Sequence, residues 1–140
     1  MHIGKIAHIG VAVNDMQNTL RLYHETLGLP LHGQELLESD RVKIAFLPVG
    51  DTEIELLEAT DPESPVARFI EKRGEGIHHI AFEVDDIEKA LTRLREQGFR
   101  LIDEHPRTGA SGVRVAFLHP KTTGGVLIEL CEKNAKHQPG

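Results

Sequence analysis

The 140-residue chain has 39% apolar residues, 27% charged residues and a formal net charge of −6, which fits one globular domain or two small halves sharing a core. Its acidic balance and an aromatic content of 4% without tryptophan argue against a general polyanion binder and a stacking platform for single-stranded nucleic acid. The lone Cys131 rules out an internal disulfide framework, and apolar runs of strand length predict neither membrane insertion nor a signal segment, so a reducing cytoplasm is the expected location.

The first element falls on residues 7–13, where Ile9, Val11 and Val13 alternate with His8, Gly10 and Ala12, the period of a half-buried strand. Asn14 and Asp15 can cap a helix whose Met16, Leu20, Tyr23 and Leu27 lie on one stripe, ended by Gly28. Strands are expected near 31–38, 41–48 and 52–58. Ser64-Pro65 opens a linker helix within about 61–75, closed by Gly74-Glu75-Gly76. Asp85 or Asp86 starts a second long helix carrying Ile87, Leu91 and Leu94 and stopped by Gly98, with strands near 100–105, 113–118 and 125–132. The tail, 134–140, has no apolar period and is expected to fray.

The chain also repeats itself. At an offset of 71, residues 7–13 meet 78–84, and Asp15, Met16, Leu20 and Tyr23 meet Asp86, Ile87, Leu91 and Leu94. In the same register Val42-Lys43-Ile44-Ala45-Phe46-Leu47 meets Val113-Arg114-Val115-Ala116-Phe117-Leu118; at 74, Ile54-Glu55-Leu56-Leu57-Glu58 meets Ile128-Glu129-Leu130-Cys131-Glu132. A register kept through separated segments marks two related modules, about 3–60 and 76–133, each βαβββ. The expected fold is therefore α+β, within one domain: two modules related by a pseudo-twofold, with curved mixed sheets enclosing a cleft.

On the strand face opposite each helix, the alternation places His8, Gly10 and Ala12, and in the second module His79, Ala81 and Glu83. The later strands are read as adding Lys43 and Ala45, Arg114 and Ala116, and the carboxylates Glu55 and Glu129. One imidazole and one carboxylate per module, gathered by a pseudo-twofold, form an N₂O₂ set suited to Co²⁺, Mn²⁺, Ni²⁺, Fe²⁺ or Zn²⁺. Packing alone rarely duplicates such a pattern, because a buried carboxylate is costly unless paired or metal-bound. His78 should point away from His79, toward the core or a helix. His119, in the turn Leu118-His119-Pro120-Lys121, is a substrate-contact candidate.

The paired modules with His, Glu, His and Glu resemble the vicinal oxygen chelate superfamily. Within it, nearly the whole chain is similar to the methylmalonyl-CoA epimerases. The specific stretches are Gly76-Ile77-His78-His79-Ile80-Ala81-Phe82-Glu83-Val84-Asp85, Phe117-Leu118-His119-Pro120-Lys121 and Gly124-Gly125-Val126-Leu127-Ile128-Glu129-Leu130. The resemblance implies epimerisation at C2 of methylmalonyl-CoA, a divalent metal, with Co²⁺ first and Mn²⁺, Ni²⁺, Zn²⁺ or Mg²⁺ as alternatives, and a homodimer. It carries the ligands over as His8, Glu55, His79 and Glu129. Glu129 is expected to act as one acid/base and Glu55 as the other, since Lys43 stands where some relatives supply an acidic residue. Substrate contacts are expected from Lys43, Arg114, Ser111, Gly112, His119 and Lys121, with Lys72, Arg73 and Arg107 completing a basic rim. A glyoxalase-type lyase or isomerase of the same fold is the alternative, and a small-molecule binder of that fold is a third reading.

Overall fold

Alternation in the sequence becomes strand, and polar punctuation becomes helix caps. The computed structural model describes residues 1–133; the tail expected to fray lies outside them. Among these residues the strands are β1 (Ile3–Ala12), β2 (Gln34–Leu37), β3 (Val42–Val49), β4 (Thr52–Ala59), β5 (Gly76–Val84), β6 (Arg107–Thr108), β7 (Arg114–Leu118) and β8 (Ile128–Glu132). The α-helices are α1 (Met16–Leu20), α2 (Pro65–Arg73) and α3 (Ile87–Glu96). The fold is mixed α+β, with the strands hydrogen-bonded in the order β2-β3-β4-β1-β5-β8-β7-β6.

The chain divides into two units, His8–His79 on one hand and residues 1–7 with the chain from Ile80 onward on the other. Their borders fall inside β1 and β5 rather than in the linker around α2.

In the unit His8–His79, β2 pairs antiparallel with β3 and β3 antiparallel with β4, while β4 runs parallel to β1. The β3–β4 hairpin turns on Gly50-Asp51, with Val49 opposite Thr52. Gly50 has φ 59°, as a two-residue hairpin requires at its first central position when glycine fills it. Val13, Met16, Leu20, Ala45, Leu47 and Leu56 form the core under α1. Asp15 caps that helix by accepting from the Asn18 N–H at 3.0 Å. Beyond Leu20 the coil widens into a π-type turn, Arg21–Thr26, in which the Leu27 N–H reaches back five residues to the Leu22 carbonyl. That extra residue rotates the last turn. Leu27, expected on the apolar stripe, is accordingly 61% exposed. The linker helix α2 forms as its sequence indicates, capped by Ser64 with Pro65 in its first turn.

The second unit repeats the pattern: β6 and β7 pair antiparallel, as do β7 and β8, and β8 runs parallel to β5. Asp86 caps α3, and Val84, Ile87, Ala90, Leu91, Ala116, Leu118 and Leu130 form its core. The strand expected near 100–105 reduces to a single bridge between Leu101 and Leu118. Its ladder is displaced by a side chain, since Asp103 accepts from the Phe117 N–H at 2.8 Å and from Arg107 Nε at 3.2 Å. Pairing resumes only at β6.

Each unit ties its helix to its last strand in the same way. Glu58 on β4 accepts from the Met16 N–H at 2.7 Å, and Glu132 on β8 accepts from the Ile87 N–H at 3.1 Å. These N–H groups open their helices and have no intrahelical acceptor, and the helix dipole favours a carboxylate there. We expect Glu58→Ala and Glu132→Ala each to cost about 1–2 kcal/mol, read as a lower urea midpoint with an unchanged slope. An unchanged midpoint would show that water replaces the carboxylate at no cost.

Candidate metal centre

The registers place the carboxylates. In β1 the alternation puts His8, Gly10 and Ala12 on one face, and the parallel β4 sets Glu55 opposite Gly10. In β5 it puts His79 and Ala81 on one face, and the parallel β8 sets Glu129 opposite Ala81. The same construction therefore occurs twice: an imidazole, then two residues on a small residue, and across from it a glutamate. All four polar side chains are buried, His8 at 8% exposure, Glu55 at 6%, His79 at 5% and Glu129 at 6%.

Within the unit His8–His79, His8 Nδ1 lies 3.2 Å from Glu55 Oε2 and His8 Nε2 lies 3.0 Å from His79 Nε2. The two rings meet edge to face with centroids 5.1 Å apart. A carboxylate only accepts hydrogen bonds, so His8 carries a proton on Nδ1, and a neutral His8 then presents the Nε2 lone pair to His79. Gly10 makes the arrangement possible. A Cβ at this position would stand 2.3 Å from His79 Cε1 and 2.6 Å from its Nδ1, distances no side chain tolerates. The backbone here is ordinary strand, so the glycine serves the ring rather than a turn.

Four expected cleft residues lie elsewhere. Lys43 pairs with Glu58 and Ala45 with Leu56, which puts both on the α1 side of the sheet, while the residue across from Glu55 is Phe46. Likewise Ala116 pairs with Leu130, and the residue across from Glu129 is Phe117. Arg114 belongs to the helix side, where it bridges Glu88 of α3 at 3.5 Å and Glu132 at 3.2 Å. The expectation was one residue out of phase because Val42, Ile44, Ala45 and Leu47 are all buried. A strand covered on both faces has no polar face to fix its phase. Phe46 and Phe117 were passed over, although their match across the repeat was a signal for them.

The remaining expected contacts lie in the second unit. His119 is half-buried, and its Nδ1 accepts from the Lys121 N–H at 3.0 Å; Lys121 itself is exposed. Ser111 and Gly112 are exposed, and Ser111 takes a left-handed backbone, φ 59° and ψ 19°, a conformation of about 1–3 kcal/mol strain that collects at ligand sites. Of the basic rim, Arg107 lies over the Phe117 ring at 5.5 Å and Arg73 over Phe69 at 5.9 Å.

Residues 7–117 match the family model of the Glyoxalase/Bleomycin resistance protein/Dioxygenase superfamily. The chain belongs to that superfamily. Within it, the chain is 40% identical to the ethylmalonyl-CoA/methylmalonyl-CoA epimerase of Cereibacter sphaeroides, over 91% of this chain and 97% of that one. Among solved structures, hypothetical protein BH1468 from Bacillus halodurans superposes with a TM-score of 0.93 at 49% identity, over 96% of this chain and 98% of that one. A methylmalonyl-CoA epimerase in complex with methylmalonyl-CoA and NH₄⁺ superposes with a TM-score of 0.91 at 36% identity, covering 99% and 100%. The superfamily fold carries a His and Glu donor set here that suits a divalent cation.

The imidazole pair passes a direct test of fit. With His8 Nδ1 protonated, the 3.0 Å between His8 Nε2 and His79 Nε2 must hold either one shared proton or one cation, since two lone pairs at that distance repel. Nitrogens each about 2.0–2.1 Å from a cation stand about 3 Å apart when they subtend a right angle. We expect Gly10→Ala to lower divalent-cation affinity about tenfold or more, measured by competition with a chromophoric chelator. Gly4→Ala is the control, because its Cβ meets only the mobile end of Glu83, at 3.0 Å. Equal affinity in both variants would remove Gly10 from the site.

Proposed function

We propose that the chain is a metal-dependent epimerase that interconverts the C2 epimers of methylmalonyl-CoA. The observation that carries this reading is the likeness to epimerases over nearly the whole of both chains, together with the twofold occurrence of a buried imidazole and glutamate. His8, His79 and Glu129 would hold one cation, with Co²⁺ as first choice, while Glu55, expected as a fourth ligand, would instead orient His8 from the Nδ1 edge of its ring. When bound, the cation supplies positive charge against which the oxyanion character developing on the substrate is stabilised, at the moment it lowers the barrier.

The chain's own residues move the proton. The C2 hydrogen lies between a thioester and a carboxylate and is acidic for that reason. Glu129 takes it as C2–H breaks, leaving the bonding pair on the substrate. Glu55, the equivalent side chain of the other half, starts with a proton on Oε1, leaving Oε2 to accept from His8 Nδ1–H, and returns that proton to the opposite face. One turnover thus exchanges the protonation of the two glutamates, and solvent resets them. Phe46 and Phe117, the residues across from these glutamates, support the assignment because their apolar rings limit the water available to the carboxylates. Substrate contacts are assigned to Ser111, Gly112, His119 and Lys121, of which strained Ser111 is the best supported. Lys43 and Arg114 are left out, since they belong to the helix side. No helix among the described residues is long and apolar enough to cross a membrane, and the reading places a homodimer in the cytoplasm.

Proton exchange in D₂O tests this directly. With Co²⁺ and methylmalonyl-CoA, we expect deuterium at C2; Glu129→Gln should lose the exchange of the epimer whose proton Glu129 takes, and a chelator should abolish exchange of both. Glu55→Gln keeps an oxygen that accepts from His8 but cannot carry the proton, so it should stop inversion while one epimer still exchanges. Unlabelled methylmalonyl-CoA alongside turnover of a glutathione hemithioacetal would replace the epimerase with a glyoxalase-type enzyme.

A further inference from the structure

A third imidazole lies against this site. His78 was expected to face away from its neighbour, and one side of its ring does meet α2: Phe69 packs on it edge to face, centroids 5.0 Å apart at 77°. Yet its Nδ1 stands 2.8 Å from His79 Nδ1, with the two rings 5.1 Å apart at 85°. The distance is that of a hydrogen bond between ring nitrogens. His79 is therefore contacted at both nitrogens, by His78 at Nδ1 and by His8 at Nε2, and Gly10 closes off one side of its ring.

We propose that His78 is a positioning residue for the cation site: its Nδ1 accepts the Nδ1–H of His79 and so fixes the tautomer whose Nε2 lone pair faces His8. A neutral imidazole has one donor and one acceptor nitrogen, and it ligates through the acceptor. Whichever group takes the proton on the other nitrogen decides which nitrogen that is. At His8 the Glu55 carboxylate does this; at His79 the same task falls to His78. Its ring is itself held in place by Phe69, over which Arg73 lies. This gives α2 a role in the site that its expected function as a linker did not suggest. The inference rests on the cation reading and adds a residue to it.

The test compares three full-length chains loaded with Zn²⁺ or Co²⁺: wild type, His78→Phe and His78→Asn. Phenylalanine keeps an aromatic ring against Phe69 but has no acceptor, whereas the asparagine amide oxygen sits close to where Nδ1 was. We expect His78→Phe to lose about tenfold to a hundredfold in cation affinity, with its cation-free melting temperature unchanged. His78→Asn should stay within a few-fold of wild type. In the Zn²⁺-loaded wild type, ¹⁵N shifts should report the His79 proton on Nδ1. Wild-type affinity in His78→Phe, equal losses in both variants, or a proton on His79 Nε2 would overturn the proposal while leaving the cation reading intact. A wild-type chain that takes up no divalent cation would overturn both. A chain that binds the cation but leaves methylmalonyl-CoA unlabelled in D₂O would overturn only the epimerase assignment.

Discussion

Two imidazole nitrogens held 3.0 Å apart where water is largely excluded form the constraint around which the unit His8–His79 is organised. Such a pair repels itself unless a shared proton or a cation lies between its members, and burial strengthens the repulsion. Neighbouring features serve to hold it. A parallel strand brings a carboxylate to one ring, a residue without a side chain makes room for the other, and both rings are carried on strands rather than on loops. Strand-borne donors keep their separation better than loop-borne ones, as a binding site that must be ready before its ligand arrives requires.

The alternation of β4 also separates two tasks along a single strand. Glu55 faces the imidazoles, while Glu58, three residues on, faces the helix side and secures α1. In the other unit Glu129 and Glu132 divide the work in the same way along β8. An odd spacing between two acidic residues in a strand therefore sends them to opposite faces, one toward the imidazoles or their counterpart and one toward the helix. Their similar surroundings in the sequence hide how differently they are used.

Much of this was legible in the sequence, for specific physical reasons. The repeat at offsets of 71 and 74 revealed the paired βαβββ order, because duplicated chain keeps its register. Asp15, Ser64 and Asp86 marked helix starts, because a short acceptor just before a helix can satisfy a free N–H group of its own first turn. The four buried donors stood out because polar residues on a half-buried strand are conspicuous. The phase of β3 and β7 was not legible, since strands buried on both faces lose the polar alternation that would reveal it; Lys43 and Arg114 were misassigned there. Nor was the break near Asp103, where a carboxylate replaces a ladder bond, or the widened turn that exposes Leu27. Both depend on hydrogen bonds between residues whose meeting no local pattern announces.

Among the differences between the duplicated strands, one decides whether an imidazole fits. Where β1 has Gly10, the matching position of β5 has Ala81, and at position 10 that methyl would sit 2.3 Å from an imidazole carbon. The halves are thus no longer interchangeable cassettes. Copying residues 78–84 over 7–13 would preserve the strand, its apolar face and a histidine in the right place, and would still wreck the fit of the opposing ring. An exchange that carries Ala81 into position 10 therefore meets that clash, whatever else it keeps.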